Sequence, residues 1–217
     1  MFDWCCYMLS IFRKSTKSLA NLLAKPFIFL KISPNIVSLL GLVFALIGAF
    51  FVAKQDWLFA FIFFILAPTM DLIDGAVARA TKKQSNWGNY FETMVDKLVD
   101  FVMIGSFACV PSLAIASVLA LGFSMISSYA KPRVALIIIT DNRDWPAIGE
   151  HADKLVIVLL GLLLAYLGYN YLSEMLYLVA IISCIGAFQR MYYAKKLIKE
   201  AEKKGTLLPY IKKRKER

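Results

Sequence analysis

The chain has 217 residues, of which 59% are hydrophobic and only 18% charged, and it carries a formal net charge of +10. Soluble domains are roughly 45–50% apolar and about 25% charged, so a water-facing surface could not accommodate this excess of apolar residues. The composition excludes a soluble globular protein, a disordered chain and a disulfide scaffold. We therefore expect an all-α integral membrane protein.

The N-terminal stretch Met1–Lys31 mixes apolar residues with Arg13, Lys14, Lys17 and Lys25. This mixture predicts an amphipathic helix that lies in the membrane interface. The sequence after it predicts a transmembrane domain over residues 35–194 and a basic cytoplasmic tail over 195–217, so that the interfacial segment covers 1–34.

Six apolar runs within that domain predict six transmembrane helices. A helix needs about 20 residues to cross a hydrocarbon core of about 30 Å. The second and third runs reach that length only if the acidic stretches beside them also belong to the membrane helices. In chain order the runs are Ile36–Ala53, Trp57–Met70, Phe101–Val110, Ser112–Tyr129, Leu155–Tyr171 and Met175–Phe188.

The distribution of the 25 Lys and Arg residues predicts the orientation. Lys54 stands alone on one side and Lys97 lies inside a span, whereas the others fall in the N-terminal segment, the 79–87 loop, the 131–154 connection and the stretch after Phe188. Positive charge in short loops marks the cytoplasmic face. We therefore expect both termini on the cytoplasmic side of the cell membrane. This charge suits anionic membrane lipid and does not indicate nucleic-acid binding.

Acidic residues inside the spans are the strongest functional signal. Five of the fifteen Asp and Glu residues lie between Asp71 and Asp100, although a charge in hydrocarbon costs about 2.5–3.5 kcal/mol. Asp71 and Asp74 are three residues apart and share a helix face, while Glu92, Asp96 and Asp100 form one stripe on the next helix. Because the two helices are antiparallel and joined by a short loop, we expect these carboxylates to converge near their cytoplasmic ends.

Converging carboxylates in a low dielectric cannot all stay ionised without cations. Hard oxygen ligands favour Mg²⁺, Mn²⁺ or Ca²⁺ over zinc, and two such ions drive phosphoryl-type displacement in other enzymes. The Arg79 fork could hold a phosphate, and Gly88 opens the third helix, where backbone N–H groups favour an anion. A cation or proton transporter is the alternative, but transporters commonly show repeats and helices broken at the midplane.

These residues closely resemble the signature of the CDP-alcohol phosphotransferase family, D-x2-D-G-x2-A-R-x8-G-x3-D-x3-D. Every spacing is met, and Glu92 stands where the family has Asp. The run that carries the resemblance is Asp71-Leu72-Ile73-Asp74-Gly75-Ala76-Val77-Ala78-Arg79, followed by Gly88, Glu92 and Asp96.

The resemblance implies a homodimer whose six helices surround a polar cavity open to the cytoplasm. It implies that Asp71, Asp74, Glu92 and Asp96 bind two divalent cations, Mg²⁺ or Mn²⁺, and that Asp96 is also the general base. The substrates would be a CDP-lipid, either CDP-diacylglycerol or CDP-archaeol, and a polar alcohol, with CMP as the leaving group. The residues that would line the CDP site are Gly75, Ala78, Arg79 and Gly88.

Further stretches resemble the branch of the family that uses inositol phosphate. They are Ser33-Pro34-Asn35, Ser128–Arg133, Gly149–Lys154 and the extra Asp100. That resemblance implies an acceptor pocket for a phosphorylated alcohol, formed by Lys131, Arg133, Lys154 and Asp100. Because His151 and Lys154 replace arginines of the family, glycerol 3-phosphate and serine stay open as acceptors. The alternative interpretation is that these cations are ordinary positive charge at cytoplasmic helix ends and bind no acceptor.

Overall fold

The computed structural model describes residues 18–139, 145 and 148–208, and the regular secondary structure within them is helical apart from one isolated β-bridge. Of the predicted interfacial segment and tail, residues 1–17 and 209–217 lie outside this part. The helices are α1 (Ser18–Phe29), α2 (Pro34–Ala53), α3 (Trp57–Ala80), α4 (Asn86–Gly105), α5 (Ala114–Ala135), α6 (His151–Tyr166) and α7 (Leu172–Lys204).

Local sequence signals account for most helix ends. Pro34 occupies the first turn of α2, where its missing N–H costs nothing. Asp56 caps α3 by accepting the N–H of Phe59 at 3.3 Å, and Ser85 caps α4. Gly205 ends α7 in the left-handed region, with φ +66°.

Four stretches of the described chain are long and apolar enough to cross a membrane: α2, α3, Pro111–Ala135 and α7. The all-α, multi-pass membrane architecture is thereby confirmed, whereas the count of six spans stays a prediction. α4 has 20 residues but carries Glu92, Asp96 and Asp100, and α6 has only 16.

Two predicted boundaries were wrong. The third run was expected to stay helical to Val110, but α4 ends at Gly105 and short 3₁₀ turns follow. The fifth run was expected to reach Tyr171, but α6 ends at Tyr166, and Gly168 then adopts φ +88°. Apolar composition predicts burial in lipid but not where the helical hydrogen-bond pattern stops, and this explains both differences.

The chain forms two compact units, one ending at Phe107 and the other beginning at Ala108. In the first unit α2 is central: α3 and α4 both pack along it but have little contact with each other. α1 packs on the same unit through Ala20 and Ala24, which join a buried cluster with Val37 and Ile73. The weak contact between α3 and α4 leaves a cleft between them.

Glycines set the spacing between α2 and α3. A Cβ at Gly41 would lie 2.9 Å from the carbonyl oxygen of Ala67 and 3.2 Å from Cβ of Met70, and one at Gly48 would run into the Phe64 ring. Small residues of this kind let membrane helices approach backbone to backbone. The two helices are therefore held in one antiparallel register.

In the second unit α7 is central, and α5 and α6 both pack along it. Its last turns form a separate cluster, where Trp145 stacks edge-on against Tyr193 with 5.2 Å between ring centroids. An isolated β-bridge pairs Ile138 with Leu207. Ile138 and Trp145, two described residues between α5 and α6, thus contact the end of α7 and the residues just after it.

Candidate metal and phosphate site

The acidic residues of α3 and α4 meet in the cleft between these helices. One carboxylate oxygen each from Asp71, Asp74 and Glu92 lies within 4.8 Å of the other two. Oxygen ligands stand about 2.0–2.6 Å from Mg²⁺ or Ca²⁺, so atoms at this separation can bind a common cation. Asp71 and Glu92 are half-buried, which keeps the cluster accessible.

Asp74 is the most buried member, with 2% of its surface exposed. Its Oδ2 accepts a hydrogen bond from the Ser38 hydroxyl of α2. Its Oδ1 is buried and has no hydrogen-bond partner in the described part of the chain. A buried carboxylate oxygen without a donor is costly, and a cation bound there would satisfy it. The residues present therefore fit a divalent metal.

Asp96 completes the cluster one turn further along α4. Its carboxyl is within hydrogen-bonding reach of Asp71, and the charges of Asp74 and Glu92 act on it. Asp100, on the next turn, is buried but pairs with Lys97 of its own helix at 2.9 Å. The four predicted metal ligands are thus gathered, while the predicted acceptor residue Asp100 has its charge balanced separately.

Arg79 brings positive charge to the edge of this acidic cleft. Its guanidinium folds back along α3, and a Cβ on Gly75 would lie 3.1 Å from its Nη1. The same guanidinium attracts Glu92. Ala78, half-buried one residue before it, adds only a methyl group. The small residues at 75 and 78 therefore leave room for a ligand between the carboxylates and the Arg79 guanidinium.

Gly88 has a different role from the one its position suggested. Its N–H, expected to be available for an anion, already donates to the Ser85 hydroxyl at 2.9 Å. A Cβ there would lie 3.1 Å from that hydroxyl and 3.8 Å from Oδ1 of Asn35. Gly88 therefore contributes space between the starts of α2 and α4 and no free donor.

A cavity of about 400 Å³ opens beside Arg79, between α1 and the last turns of α3. Apart from Arg79 and Asn21 its walls are aliphatic, formed by Ala24, Ile28, Ala76 and Ala80. The face of α3 that carries Ala76 is turned toward α1, away from the face that carries Asp71 and Asp74. Arg79 lies between the two and borders both the cavity and the carboxylates.

The predicted acceptor cations lie in the second unit and differ in their surroundings. Lys154 is 4% exposed, and its Nζ donates to the Ser124 hydroxyl at 2.7 Å. Lys131 is half-buried, whereas Arg133 is exposed near the end of α5. Of the three, Lys154 is the one that the fold holds in place by burial and a hydrogen bond.

The sequence interpretation missed Arg190. It was counted with the cytoplasmic charges after Phe188, but it is 5% exposed, donates to the Ser127 hydroxyl and attracts Glu150 and Asp153. A signal was present: Arg190 follows Ser183 by seven residues and so shares its buried face of α7. Among its described residues, the second unit therefore buries two cations, each bonded to a serine of α5.

Comparisons of the sequence with a family model and with known proteins point to the same family. The family model described as CDP-alcohol phosphatidyltransferase matches residues 31–186. The archaetidylinositol phosphate synthase of Pyrococcus horikoshii is 29% identical over 193 residues, which cover 87% of this chain and 97% of that protein. The phosphatidylinositol phosphate synthase of Mycolicibacterium smegmatis is 30% identical over 195 residues, covering 83% and 85%.

The fold resembles that of solved structures. The crystal structure of Mycobacterium tuberculosis phosphatidylinositol phosphate synthase with CDP-DAG bound superposes with a TM-score of 0.71 at 22% identity, over 82% of this chain and 94% of that one. The same enzyme in complex with manganese and citrate also gives 0.71 at 22% identity, over 81% and 88%. At this identity the superpositions establish a common fold.

Proposed function

This chain belongs to the CDP-alcohol phosphatidyltransferase family, and from that premise we propose that it makes an inositol phospholipid precursor. It moves a diacylglycerol-phosphate or archaeol-phosphate group from a CDP-lipid to inositol phosphate and releases CMP. The observation that carries this proposal is the gathering of carboxylate oxygens from Asp71, Asp74 and Glu92 within 4.8 Å. Glycerol 3-phosphate and serine are the alternative acceptors.

Two divalent cations, Mg²⁺ or Mn²⁺, are the cofactors of this reaction. Asp71, Asp74, Glu92 and Asp96 would hold them. Oδ1 of Asp74, which has no hydrogen-bond partner among the described residues, supports this assignment. When bound, the ions neutralise a diphosphate and stabilise a departing nucleotide. A relative of the same fold was solved in complex with manganese and citrate.

The nucleotide and its phosphates lie against the small-residue face of α3. Gly75 and Ala78 leave room above the carboxylates, and the guanidinium of Arg79 can hold phosphate oxygens through its fork. Because Gly88 has no side chain, it leaves space for the substrate at the start of α4. The lipid tails then extend into the membrane, where either diacylglycerol or archaeol can be accommodated.

The Asp96 carboxylate removes the proton from the acceptor hydroxyl. The freed oxygen attacks the lipid-linked phosphorus in line and forms the new P–O bond. The P–O bond to CMP breaks, and CMP leaves with the electron pair. No covalent enzyme intermediate is needed.

A phosphorylated acceptor is supported by the buried cations of the second unit. Lys154 is 4% exposed and Arg190 is 5% exposed. A cation that is removed from water in this way interacts strongly with phosphate. Lys131 and Arg133 add charge nearer the end of α5. The Pyrococcus horikoshii and Mycolicibacterium smegmatis relatives are both named as inositol phosphate enzymes.

For the topology, we propose that α4 and α6 also cross the membrane, which gives six transmembrane helices. α4 has the 20 residues that a crossing requires, and its acidic face is turned to the cleft while Leu98 and Phe101 are exposed for lipid. α6 is shorter, but a bilayer can thin locally around a short helix. Both termini then lie in the cytoplasm, and the working unit is a homodimer.

The test is CMP release by the purified full-length protein with Mn²⁺, supplied with CDP-diacylglycerol or CDP-archaeol. Each lipid is combined with inositol phosphate, inositol, glycerol 3-phosphate or serine. Of the four alcohols, we expect only inositol phosphate to support CMP release. The lipid that gives the faster release identifies the natural donor. CMP release without any alcohol would contradict the transfer mechanism, and release with serine would contradict the assigned acceptor.

A further inference from the structure

Ser38 makes a polar contact across the seam between α2 and α3. It lies on the buried face of α2, 6% exposed, and its Oγ is close to two acceptors: Oδ2 of Asp74 and, at 3.3 Å, the carbonyl oxygen of Pro34. A hydroxyl has one proton, and an ionised acceptor makes the stronger bond. The proton is therefore directed to Asp74.

The helix packing places this contact. Gly48 faces Phe64, and Gly41 faces Ala67 and Met70, so moving toward the start of α2 means moving toward the end of α3. Ser38 lies three residues before Gly41 and Asp74 lies four residues after Met70, which continues the same register by one turn. Ser38 meets Asp74 because the glycine positions hold the helices together.

The hydrogen bond makes the two oxygens of Asp74 different. Oδ2 is bonded to Ser38, whereas Oδ1 is buried and has no hydrogen-bond partner among the described residues. With Oδ2 held, the carboxylate cannot rotate freely, and Oδ1 keeps its orientation. We propose that Ser38 is a positioning residue that presents Oδ1 of Asp74 to the metal, a proposal that rests on the metal site of the proposed function.

The competing explanation is that Ser38 only stabilises helix packing. A packing role predicts lower thermal stability with unchanged metal affinity. A positioning role predicts weaker metal binding, because residues that orient a metal ligand through a hydrogen bond typically contribute about 10–100-fold to affinity. Metal affinity measured without substrate therefore separates the two explanations.

Ser38→Thr and Ser38→Val form the critical pair, because Thr and Val have the same shape and only Thr keeps the hydroxyl. Ser38→Ala is the simple truncation. Ser106→Ala is the matched control, since Ser106 is also buried in the first unit but donates to the carbonyl oxygen of Met103 at 3.0 Å. Each full-length variant is purified, and its Mn²⁺ dissociation constant is measured from the loss of the free Mn²⁺ EPR signal.

We expect Ser38→Val and Ser38→Ala to bind Mn²⁺ at least about tenfold more weakly than the wild type, equivalent to about 1.4 kcal/mol. Ser38→Thr and Ser106→Ala should stay close to the wild-type value. Equal affinities for Ser38→Thr and Ser38→Val, with the wild type binding normally, would overturn the positioning role and leave the proposed function intact. A wild-type protein that binds no Mn²⁺ or Mg²⁺ would overturn both.

Discussion

The two units of the molecule bury charge of opposite sign in similar helical surroundings. In each, one central helix has two others packed along it, and serine hydroxyls contact the buried charges: Ser38 at Asp74 in the first unit, and Ser124 and Ser127 at Lys154 and Arg190 in the second. The first unit collects acids and the second collects cations.

Serine reduces the cost of burying a charge but does not neutralise it. A hydroxyl replaces one hydrogen bond to water, whereas an ion pair would also balance the charge. Asp100 shows the contrast, because it is buried nearby and paired with Lys97. Asp74, held only by a serine hydroxyl at one oxygen, therefore depends more than Asp100 on a bound cation to balance its charge.

The strongest way to break this comparison is to remove a charge from the acidic unit. Asp74→Asn keeps the size of the side chain but removes a metal ligand, so we expect CMP release to fall at least about 10³-fold, because several kcal/mol of charge stabilisation is lost. Asp56→Asn is the control, since Asp56 caps the other end of α3. A tenfold loss or less in Asp74→Asn would show that Asp74 is not a ligand.

Substitutions of Glu92 test whether activity depends on the charge or on the length of this side chain. Glu92→Gln should lower activity about 100-fold, because the amide keeps the length but not the charge. Glu92→Asp keeps the charge and should retain part of the activity with a changed Mg²⁺ to Mn²⁺ preference. The measurement is CMP release at several concentrations of each ion. Wild-type activity in Glu92→Gln would remove this residue from the site.

In the cationic unit, Arg190→Gln should raise the KM for inositol phosphate about 30-fold or more, because truncating a buried charge contact costs roughly 2 kcal/mol or more. The KM for the CDP-lipid should not change. Arg133→Ala, at an exposed position, should raise the acceptor KM by less. An equal rise in both KM values for Arg190→Gln would indicate misfolding or a nucleotide contact instead.

The smallest effect is expected at Ser124, which contacts the charge without carrying it. Ser124→Ala should raise the KM for inositol phosphate about fivefold, since a typical hydrogen bond contributes about 1 kcal/mol. Ser106→Ala serves again as a buried serine bonded only to backbone. If Ser124→Ala matched the loss in Arg190→Gln, the serine itself would be a ligand, and the parallel between the units would fail.

The convergence of the acidic side chains could be predicted because local helical spacing determines it. Asp71 and Asp74 share a face through their separation alone, and a short loop brings α4 and Glu92 beside them. The contact between Ser38 and Asp74 could not be predicted in this way, because it depends on the register of two helices set by glycine packing. Arg190 was missed because a basic residue after an apolar run is typical of a cytoplasmic helix end, and only the packing of α7 against α5 buries it.

The close contacts at Gly41 and Gly48 also constrain the length of the chain. One residue inserted between them would rotate the preceding part of α2 by about 100° and shift it by about 1.5 Å. Gly48 would still face Phe64, but Ser38 would turn away from Asp74. Insertions and deletions should therefore be tolerated in the turn at 54–56 and not in 41–48, so this part of the protein restricts the number of residues as well as their identity.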